Sequence, residues 1–372
     1  TIPLPGGSTL GLSLLVLILV PAGLYFTVRT KFLSIRLFPE MIRVTLENHK
    51  STDKEGISGV QALIVSTACR VGMGNLVGVV AAISAGGAGA VFWMWVIALL
   101  GSSTAFIEAT LAQIYKEKDP LYGGYRGGPA YYLHHLFVGK ESRRKRSVTA
   151  CLFAVSGLMV FQRIFAEAFG LRQVVGGGIG AVIMNGAKRG LFSNEAGSGS
   201  APCAAAAADI SHPAKEGLLQ ALGVFIDTMV ICSCSAMIML LTPEEMTRGL
   251  EGMDLLQTAM QFHLGEFGVI FIAVILWMFS FSTFLGILFY ARSNVAYLFG
   301  DNWISQMLYK ILALCMLFVG GLAAYQFVWD LGDVGVGLMT VFNMIALFPL
   351  APKALASLND YEKTEMKKNR SV

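Results

Sequence analysis

Long apolar stretches, separated by short polar or glycine-rich segments, run through most of the chain. A helix needs about 20 mostly apolar residues to cross the hydrocarbon core of a bilayer. The pattern predicts nine membrane-spanning helices, at about residues 10–26, 57–84, 91–115, 148–162, 174–184, 218–241, 269–291, 307–324 and 334–350. Residues 36–50 instead alternate apolar and charged positions at helical spacing, which predicts a helix at the membrane interface.

Two of these apolar regions are interrupted by polar residues. The first interruption, residues 66–78, contains Arg70, Asn75 and three glycines, and the second, residues 188–202, contains Glu195 among glycines and serines. Lipid cannot satisfy free backbone groups, so an interrupted helix is tolerated only where it is buried in protein or lines a polar cavity. Broken helices at mid-membrane are typical of ion and substrate sites in secondary transporters.

The composition excludes a soluble globular protein. The chain is 55% hydrophobic and only 14% charged, with a mean hydropathy of +0.63, whereas soluble proteins are about half apolar and about a quarter charged. The net charge of +4 lies in loops beside apolar segments, so it indicates topology rather than nucleic-acid binding. Basic loops after the first and third spans predict a multi-pass protein of the plasma or inner membrane, with its N-terminus outside and its C-terminus in the cytoplasm. The six cysteines predict neither a zinc site nor a disulfide framework.

Six segments together resemble the alanine/glycine:cation symporters, also called the sodium:alanine symporter family. In order they are residues 70–75, 89–95, 127–132, 189–197 with its Ser-Asn-Glu-Ala-Gly block, 225–228 and 281–283. The resemblance extends over nearly the whole chain, with two departures. About two crossings that family members carry are missing between Gln162 and Ala166, and Ile287 stands where the family usually has tryptophan.

The resemblance implies an all-α polytopic membrane protein with an inverted-repeat fold of five plus five helices, preceded by one extra helix. Residues 1–372 would form a single transmembrane domain. The first repeat would span about residues 57–165 and lack two helices, the second about residues 170–352, and residues 353–372 would form a cytoplasmic tail. Each repeat would then open with a broken helix.

The first interruption is the predicted amino-acid site. Free N–H groups at the start of one half-helix favour a carboxylate, and free carbonyl groups at the end of the other favour cations. Gly72, Gly74 and Asn75 are therefore candidate substrate residues, although glycines also allow close helix packing. The resemblance adds four more substrate-contacting candidates, which are Gln162, Phe192, Thr283 and Ile287. Because isoleucine is smaller than tryptophan, Ile287 would admit a larger substrate side chain.

A sodium ion needs hard oxygen ligands. Ser282 and Thr283, with backbone carbonyls near Thr67 and Ala68, suit this requirement and match the arrangement that the fold implies. Alternatively, the two hydroxyl groups bond back to the preceding helical turn. Ionisable and polar residues inside membranes are functional by default but also form structural pairs, and the further candidates of this kind are Arg70, Glu108, Asn194, Glu195 and Asp227.

The predicted function is sodium-coupled symport of a small neutral amino acid, alanine or glycine, by alternating access. The missing crossings keep a second hypothesis open, a shortened relative that binds substrate without carrying it. A membrane-embedded enzyme is disfavoured, because the sequence has no H-E-x-x-H motif, serine nucleophile elbow or histidine cluster. Sodium and an amino acid are the predicted partners, with the lipid bilayer and without nucleic acid.

Overall fold

The structure is a computed structural model. It describes residues 2–3, 9–10, 14–47, 57–72, 74–138, 146–159, 186–187, 189–191, 193–250, 252–322 and 325–370. The predicted crossing at residues 174–184 lies outside these residues, as do the candidate substrate residues Gln162 and Phe192.

Helices make up nearly all of the described chain. In order they are α1 (Leu14–Arg29), α2 (Leu33–Arg36), α3 (Phe38–Leu46), α4 (Gly59–Arg70), a π-helix π1 (Gly74–Gly78), α5 (Val79–Ile114), α6 (Pro129–Phe137), α7 (Val148–Met159), α8 (Ala201–Ala205), α9 (Pro213–Phe225), a π-helix π2 (Ile226–Cys232), α10 (Ser233–Leu240), α11 (Glu244–Thr247), α12 (Gly252–Leu264), α13 (Glu266–Phe299), α14 (Trp303–Leu322) and α15 (Tyr325–Arg370).

Among the described residues, four helical segments are long and apolar enough to cross a membrane: Gly86–Ile114, Pro213–Leu240, Glu266–Phe299 and Val334–Met366. Gly59–Arg70 and Gly74–Ser84 are bent by 55° relative to each other, and together they are long and apolar enough to make a fifth span. Shorter apolar helices lie at Leu15–Arg29 and Trp303–Val319. The prediction of an all-α polytopic membrane protein is confirmed, and the predicted break in the second span is a real bend.

Three short strand pairs connect the helical segments. Strand β1 (Ile2–Pro3) pairs antiparallel with β2 (Thr9–Leu10), and β4 (Glu117–Lys118) pairs antiparallel with β5 (Tyr125–Arg126). Strand β3 (Ile57–Ser58) pairs in parallel with β6 (Ala208–Asp209). This last pair joins the start of α4 to the chain just before α9.

Helix α9 lies at the centre of the helical packing, against α3, α4 and α5. Its approach to α5 depends on a glycine, because a Cβ atom on Gly217 would overlap the side chains of Phe106 and Thr110. Small residues at helix contacts let membrane helices come close enough for extensive van der Waals contact. Polar side chains at this centre are therefore removed from lipid and water alike.

The chain after residue 350 continues as helix α15 through Arg370 instead of leaving the body of the protein. Polar contacts hold it to α2 and α3: Arg36 Nη2 lies 2.7 Å from Glu362 Oε1, and Tyr361 donates a hydrogen bond to Glu40 Oε1. Lys215, at the start of α9, contacts Glu365 on α15 at 3.4 Å. The segment expected to be a polar tail is thus a docked helix over its described residues.

Candidate functional site

The first interruption begins where α4 ends at Arg70. The N–H of Val71 donates to the carbonyl of Thr67 at 2.7 Å, and Gly72 then turns the chain into π1. The side chain of Asn75 closes this turn, since its Oδ1 accepts a hydrogen bond from the N–H of Gly72 at 3.2 Å. Single-turn π-helices inside longer helices are frequent at functional sites, and π1 lies at the predicted position.

Helix α13 packs directly against this interruption. A Cβ atom on Gly72 would lie well inside 3.0 Å of Thr283 Oγ1, and one on Gly286 would overlap Cys69 Sγ. Neither position has room for a Cβ atom unless the side chain of Thr283 or Cys69 shifts, so the two glycines allow this close approach of α4 and α13. The close packing that the sequence offered as an alternative role for Gly72 is therefore present, and it brings Thr283 to the break.

The predicted sodium ligands meet at this contact. Ser282 Oγ lies 3.4 Å from the carbonyl oxygen of Ala68 on α4, and it also bonds back to the carbonyl of Phe279 at 3.1 Å. Thr283 Oγ1 is buried and has no hydrogen-bond partner among the described residues. A buried hydroxyl without a partner costs free energy, and a cation held by hydroxyl and carbonyl oxygens would remove that cost. The residues present therefore fit a sodium ion.

The side chain of Thr67 faces a different neighbour. A Cβ atom on Gly223 of α9 would lie 3.7 Å from Thr67 Oγ1 and 2.6 Å from Arg70 Nη1. Both side chains therefore lie against α9. In this conformation, Thr67 can supply the sodium contact only through its backbone, and Arg70 donates hydrogen bonds to Gln220.

A carboxylate connects the two interruptions. Asp227, on π2, accepts hydrogen bonds from Asn75 Nδ2 at 2.7 Å and from Ser193 Oγ at 2.9 Å. Thr228 donates a third at 3.2 Å, and Asp227 is completely buried. Because both ends of the Asn75 amide have protein partners, Asn75 here holds the first interruption in place. Asp227 links it to the Ser-Asn-Glu-Ala-Gly block.

Within the second interruption, residues 195–200 form a non-helical turn. Glu195, Gly197 and Gly199 have φ angles of 54°, 90° and 83°, in the left-handed region that favours glycine. The carbonyl oxygen of Glu195 accepts from the N–H of Ser198 at 3.1 Å, and its carboxylate accepts from Ser200 Oγ at 2.5 Å. The glycines of this block therefore allow the backbone to adopt the turn, and Glu195 is a non-glycine residue held in the same left-handed conformation.

Glu108 holds the far side of this turn. Its carboxylate accepts hydrogen bonds from the N–H groups of Gly197 at 3.0 Å and Gly199 at 3.1 Å. Asn343 on α15 also donates to Glu108, and Tyr132 on α6 donates to Asn343. Sequence reasoning singled out Glu108 but missed Asn343, although an amide inside the apolar span 334–350 was a usable signal.

A small cavity of about 20 Å³ lies beside the second interruption. Its lining includes two predicted site residues, Glu195 and Ile287, and adds Tyr290 and Asn294 one and two turns further along α13. This volume is room for about one water molecule, so the cavity would have to widen to hold an amino acid. The lining combines apolar side chains with a carboxylate, two serine hydroxyls, a tyrosine and an asparagine. Nothing in the sequence singled out Tyr290 or Asn294.

Asn194 completes the contact between the second interruption and its neighbours. Its Nδ2 donates to Thr228 Oγ1 at 3.4 Å, and its Oδ1 accepts from the N–H of Ala196 at 3.1 Å. Its amide is therefore used within the protein. Of the predicted residues, Gly72, Asn75, Ser282 and Thr283 come together at the first interruption, while Glu195 and Ile287 share the cavity.

Comparison with known proteins gives consistent matches over the chain. The model of the sodium:alanine symporter family matches residues 6–162 and 157–372. The chain is 37% identical to the probable sodium/glutamine symporter GlnT of Bacillus subtilis, covering 94% of this chain and 88% of the relative. It is 30% identical to the sodium/alanine symporter AgcS of Methanococcus maripaludis, covering 95% of this chain and 96% of that relative.

The matches also bear on the missing crossings. The alignment with the Bacillus subtilis relative extends over 423 positions, more than the 372 residues of this chain, so part of that relative has no counterpart here. The two segments matched by the family model overlap at residues 157–162, next to the predicted position of the missing helices between Gln162 and Ala166. The predicted resemblance is confirmed: this chain belongs to the sodium:alanine symporter family.

Proposed function

We propose that this protein carries a small neutral amino acid across the membrane together with sodium, by alternating access. The observation that carries the proposal is the contact between the first interruption and α13. There the buried hydroxyl of Thr283 has no partner among the described residues, and Ser282 Oγ lies 3.4 Å from the Ala68 carbonyl. Hydroxyl and carbonyl oxygens at a broken helix form the kind of site that secondary transporters use for sodium.

The amino acid is proposed to bind next to this ion, between the two interruptions. The small cavity lined by Glu195 and Ile287 supports this placement by its chemistry, since the carboxylate suits an ammonium group and Ile287 would lie beside the substrate side chain once the cavity widens. Alanine and glycine are the expected substrates. Glutamine is a necessary competitor in the assay, because one relative is named a sodium/glutamine symporter and Ile287 leaves more room than tryptophan would.

The proposal includes an inverted-repeat arrangement in which each repeat opens with a broken helix. The hydrogen bonds of Asp227 to Asn75 and to Ser193 support it, because they join the two interruptions at one point. The proposal also puts the N-terminus outside and the C-terminal helix in the cytoplasm, as the basic loops predict. Rocking one repeat against the other around a shared site is how such folds alternate access.

The test is uptake of radiolabelled alanine into proteoliposomes driven by an inward sodium gradient. We expect uptake to need sodium, to be reduced by excess glycine, and to be lost in Thr283→Ala. Thr247→Ala, which removes a hydroxyl from the exposed helix α11, serves as the matched control. Uptake that is unchanged in Thr283→Ala, or that proceeds equally without sodium, would contradict the proposed site.

A second candidate function is sodium-dependent binding of the amino acid without transport. It is favoured by the longer alignments with relatives and by the two matched segments that overlap at residues 157–162. Equilibrium binding of alanine in detergent separates the two functions. Sodium-dependent binding without uptake supports the binder, and uptake supports the carrier.

A further inference from the structure

A buried acid lies on α9, outside the site described above. Glu216 is completely buried and lies at the first turn of α9. Its Oε1 accepts a hydrogen bond from Gln220 Nε2 at 2.9 Å, whereas its Oε2 has no partner among the described residues. A Cβ atom on Gly59 would lie 3.2 Å from Oε2 and less than 3.0 Å from the side chains of Ile210 and Leu219. The unpartnered oxygen therefore lies in largely apolar surroundings.

Gln220 connects this acid to the end of α4. Its Oε1 accepts a hydrogen bond from Arg70 Nη2 at 3.1 Å, and its backbone carbonyl lies 3.4 Å from Arg70 Nη1. Arg70 is 2% exposed, and its Nε has no partner among the described residues. A buried cation and a buried acid are thus separated by one amide. Arg70 is the last residue of α4, two residues after the Ala68 carbonyl of the candidate sodium site.

The charged side chains around Glu216 act in opposite directions. Charged side chains on or next to the elements packed around α9 include Arg70 at the end of α4, Glu108 on α5, Lys116 after α5, Asp209 on β6, Glu40 and Arg43 on α3, Glu47 after α3, Glu365 on α15, and Lys215 and Asp227 on the span itself. Arg70 and Lys116 favour a charged Glu216. Glu47 and Glu365 instead contact Lys215.

Burial of Glu216 acts in the opposite direction to these two cations, because it favours the neutral carboxyl group. A carboxylate with one oxygen unpaired in apolar surroundings costs several kcal/mol unless a proton neutralises it. We propose that Glu216 binds an exchangeable proton, and that Gln220 and Arg70 couple this proton to cation binding at the first interruption. The coupling rests on the proposed function, whereas the proton site rests on Glu216 and its surroundings alone.

The sign of the coupling follows from charge. When Glu216 is ionised it compensates Arg70, and a sodium ion at the adjacent break meets less positive potential. When Glu216 carries a proton, this compensation is lost and sodium binds more weakly. Linkage is reciprocal, so sodium binding must release the proton from Glu216. The apparent sodium affinity is therefore expected to rise with pH.

The experiment uses the full chain purified in detergent, with sodium alone as the probe. Binding of radioactive sodium is measured across pH for the wild type, for Glu216→Gln, and for Glu245→Gln, which changes an exposed acid on α11. We expect the wild type and Glu245→Gln to gain about tenfold in sodium affinity as pH rises through the titration, a change typical of coupled sites. Glu216→Gln is expected to show no such gain. The same pH dependence in Glu216→Gln would overturn the coupling.

Two measurements on these proteins keep the outcome independent of misfolding and of the proposed function. In weakly buffered solution, adding sodium to the wild type is expected to release protons; sodium binding without release contradicts the coupling. Infrared difference spectra across pH are expected to show a protonated carboxyl band that Glu216→Gln lacks and Glu216→Asp shifts. If sodium does not bind the wild type, the proposed function fails, and the infrared band still decides the proton site. An unchanged band in both variants overturns it.

Discussion

Replacing Gly72 with alanine tests how α4 and α13 meet at the first interruption. The added Cβ would lie well inside 3.0 Å of Thr283 Oγ1, and the next atoms, the Thr283 Cβ and the Cys69 carbonyl oxygen, lie at 3.6 Å. One overlapping atom in a closely packed contact costs about 1–3 kcal/mol. Gly72→Ala should therefore unfold in detergent at a temperature several degrees below that of the wild type.

Removing the hydroxyl should relieve this overlap. In the double variant Gly72→Ala with Thr283→Ala, the nearest atoms are those at 3.6 Å, an ordinary contact. A double-mutant cycle is expected to show a coupling of about 1–3 kcal/mol that favours the double variant. Sodium binding should stay weak in it, because the candidate ligand hydroxyl is gone. The double variant would thus regain stability without binding sodium as the wild type does.

The matched control is Gly78→Ala, at the end of the π-helix π1 that follows Gly72. No atom lies within 4 Å of a Cβ at this position, so the variant should be as stable as the wild type or slightly more stable. Thermal unfolding followed by loss of monodisperse protein supplies the measurement for all five proteins, which are the wild type, Gly72→Ala, Thr283→Ala, their double variant and Gly78→Ala. If Gly72→Ala unfolds at the same temperature as the wild type, or if removal of the Thr283 hydroxyl does not restore the stability of Gly72→Ala, the packing described between α4 and α13 is wrong.

Three further predictions concern buried or partly buried acids. Asp227→Asn removes the charge that holds Asn75 and Ser193, so it should lower the free energy of unfolding by about 2–4 kcal/mol. It should also weaken sodium-dependent alanine binding more than tenfold. The control Asp254→Asn, on the exposed side of α12, should have neither effect. Glu108→Gln places an amide against two glycine N–H groups and should lower the unfolding temperature, and a variant as stable as the wild type would contradict the role given to Glu108. Burial opposes ionisation of Glu40, but Arg43 and Tyr361 outweigh it and lower the pKa of Glu40 below its usual 4.5. The ionised form of Glu40 therefore contributes stability that is fully present above pH 4.5 and is lost as pH falls through the lowered pKa. In thermal unfolding, the wild type should be more stable than Glu40→Gln at pH 7, and the unfolding temperatures of the two proteins should converge in acid.

The sequence predicted the class of fold and the places where it is interrupted. Apolar stretches long enough to span a bilayer leave a chain few alternatives, because lipid accepts only helices with satisfied backbones. For the same reason, a charged residue and glycines within such a stretch at residues 66–78 predicted a break in the helix. The structure places the bend of 55° between Gly59–Arg70 and Gly74–Ser84.

The partners of the polar side chains were not predictable in this way. Asn75 is expected at a substrate from its position, yet its amide bonds Asp227, which is 152 residues later in the chain. Glu108 and Asn343 are 235 residues apart and meet at the glycines of the second interruption. The local sequence does not indicate such pairings, because they depend on how the spans are arranged around one another.

The first interruption illustrates the division between the two sources of information. The sequence by itself determined that this is a membrane protein with a polar break at Gly72, since hydropathy and backbone satisfaction are local properties of the chain. Only the tertiary structure decided that Thr283 fills the space a side chain on Gly72 would take, and that Arg70 is directed through Gln220 to Glu216. Those contacts join α4 to α13 and to α9, and contacts between distant segments are fixed by packing, which no single stretch of sequence specifies.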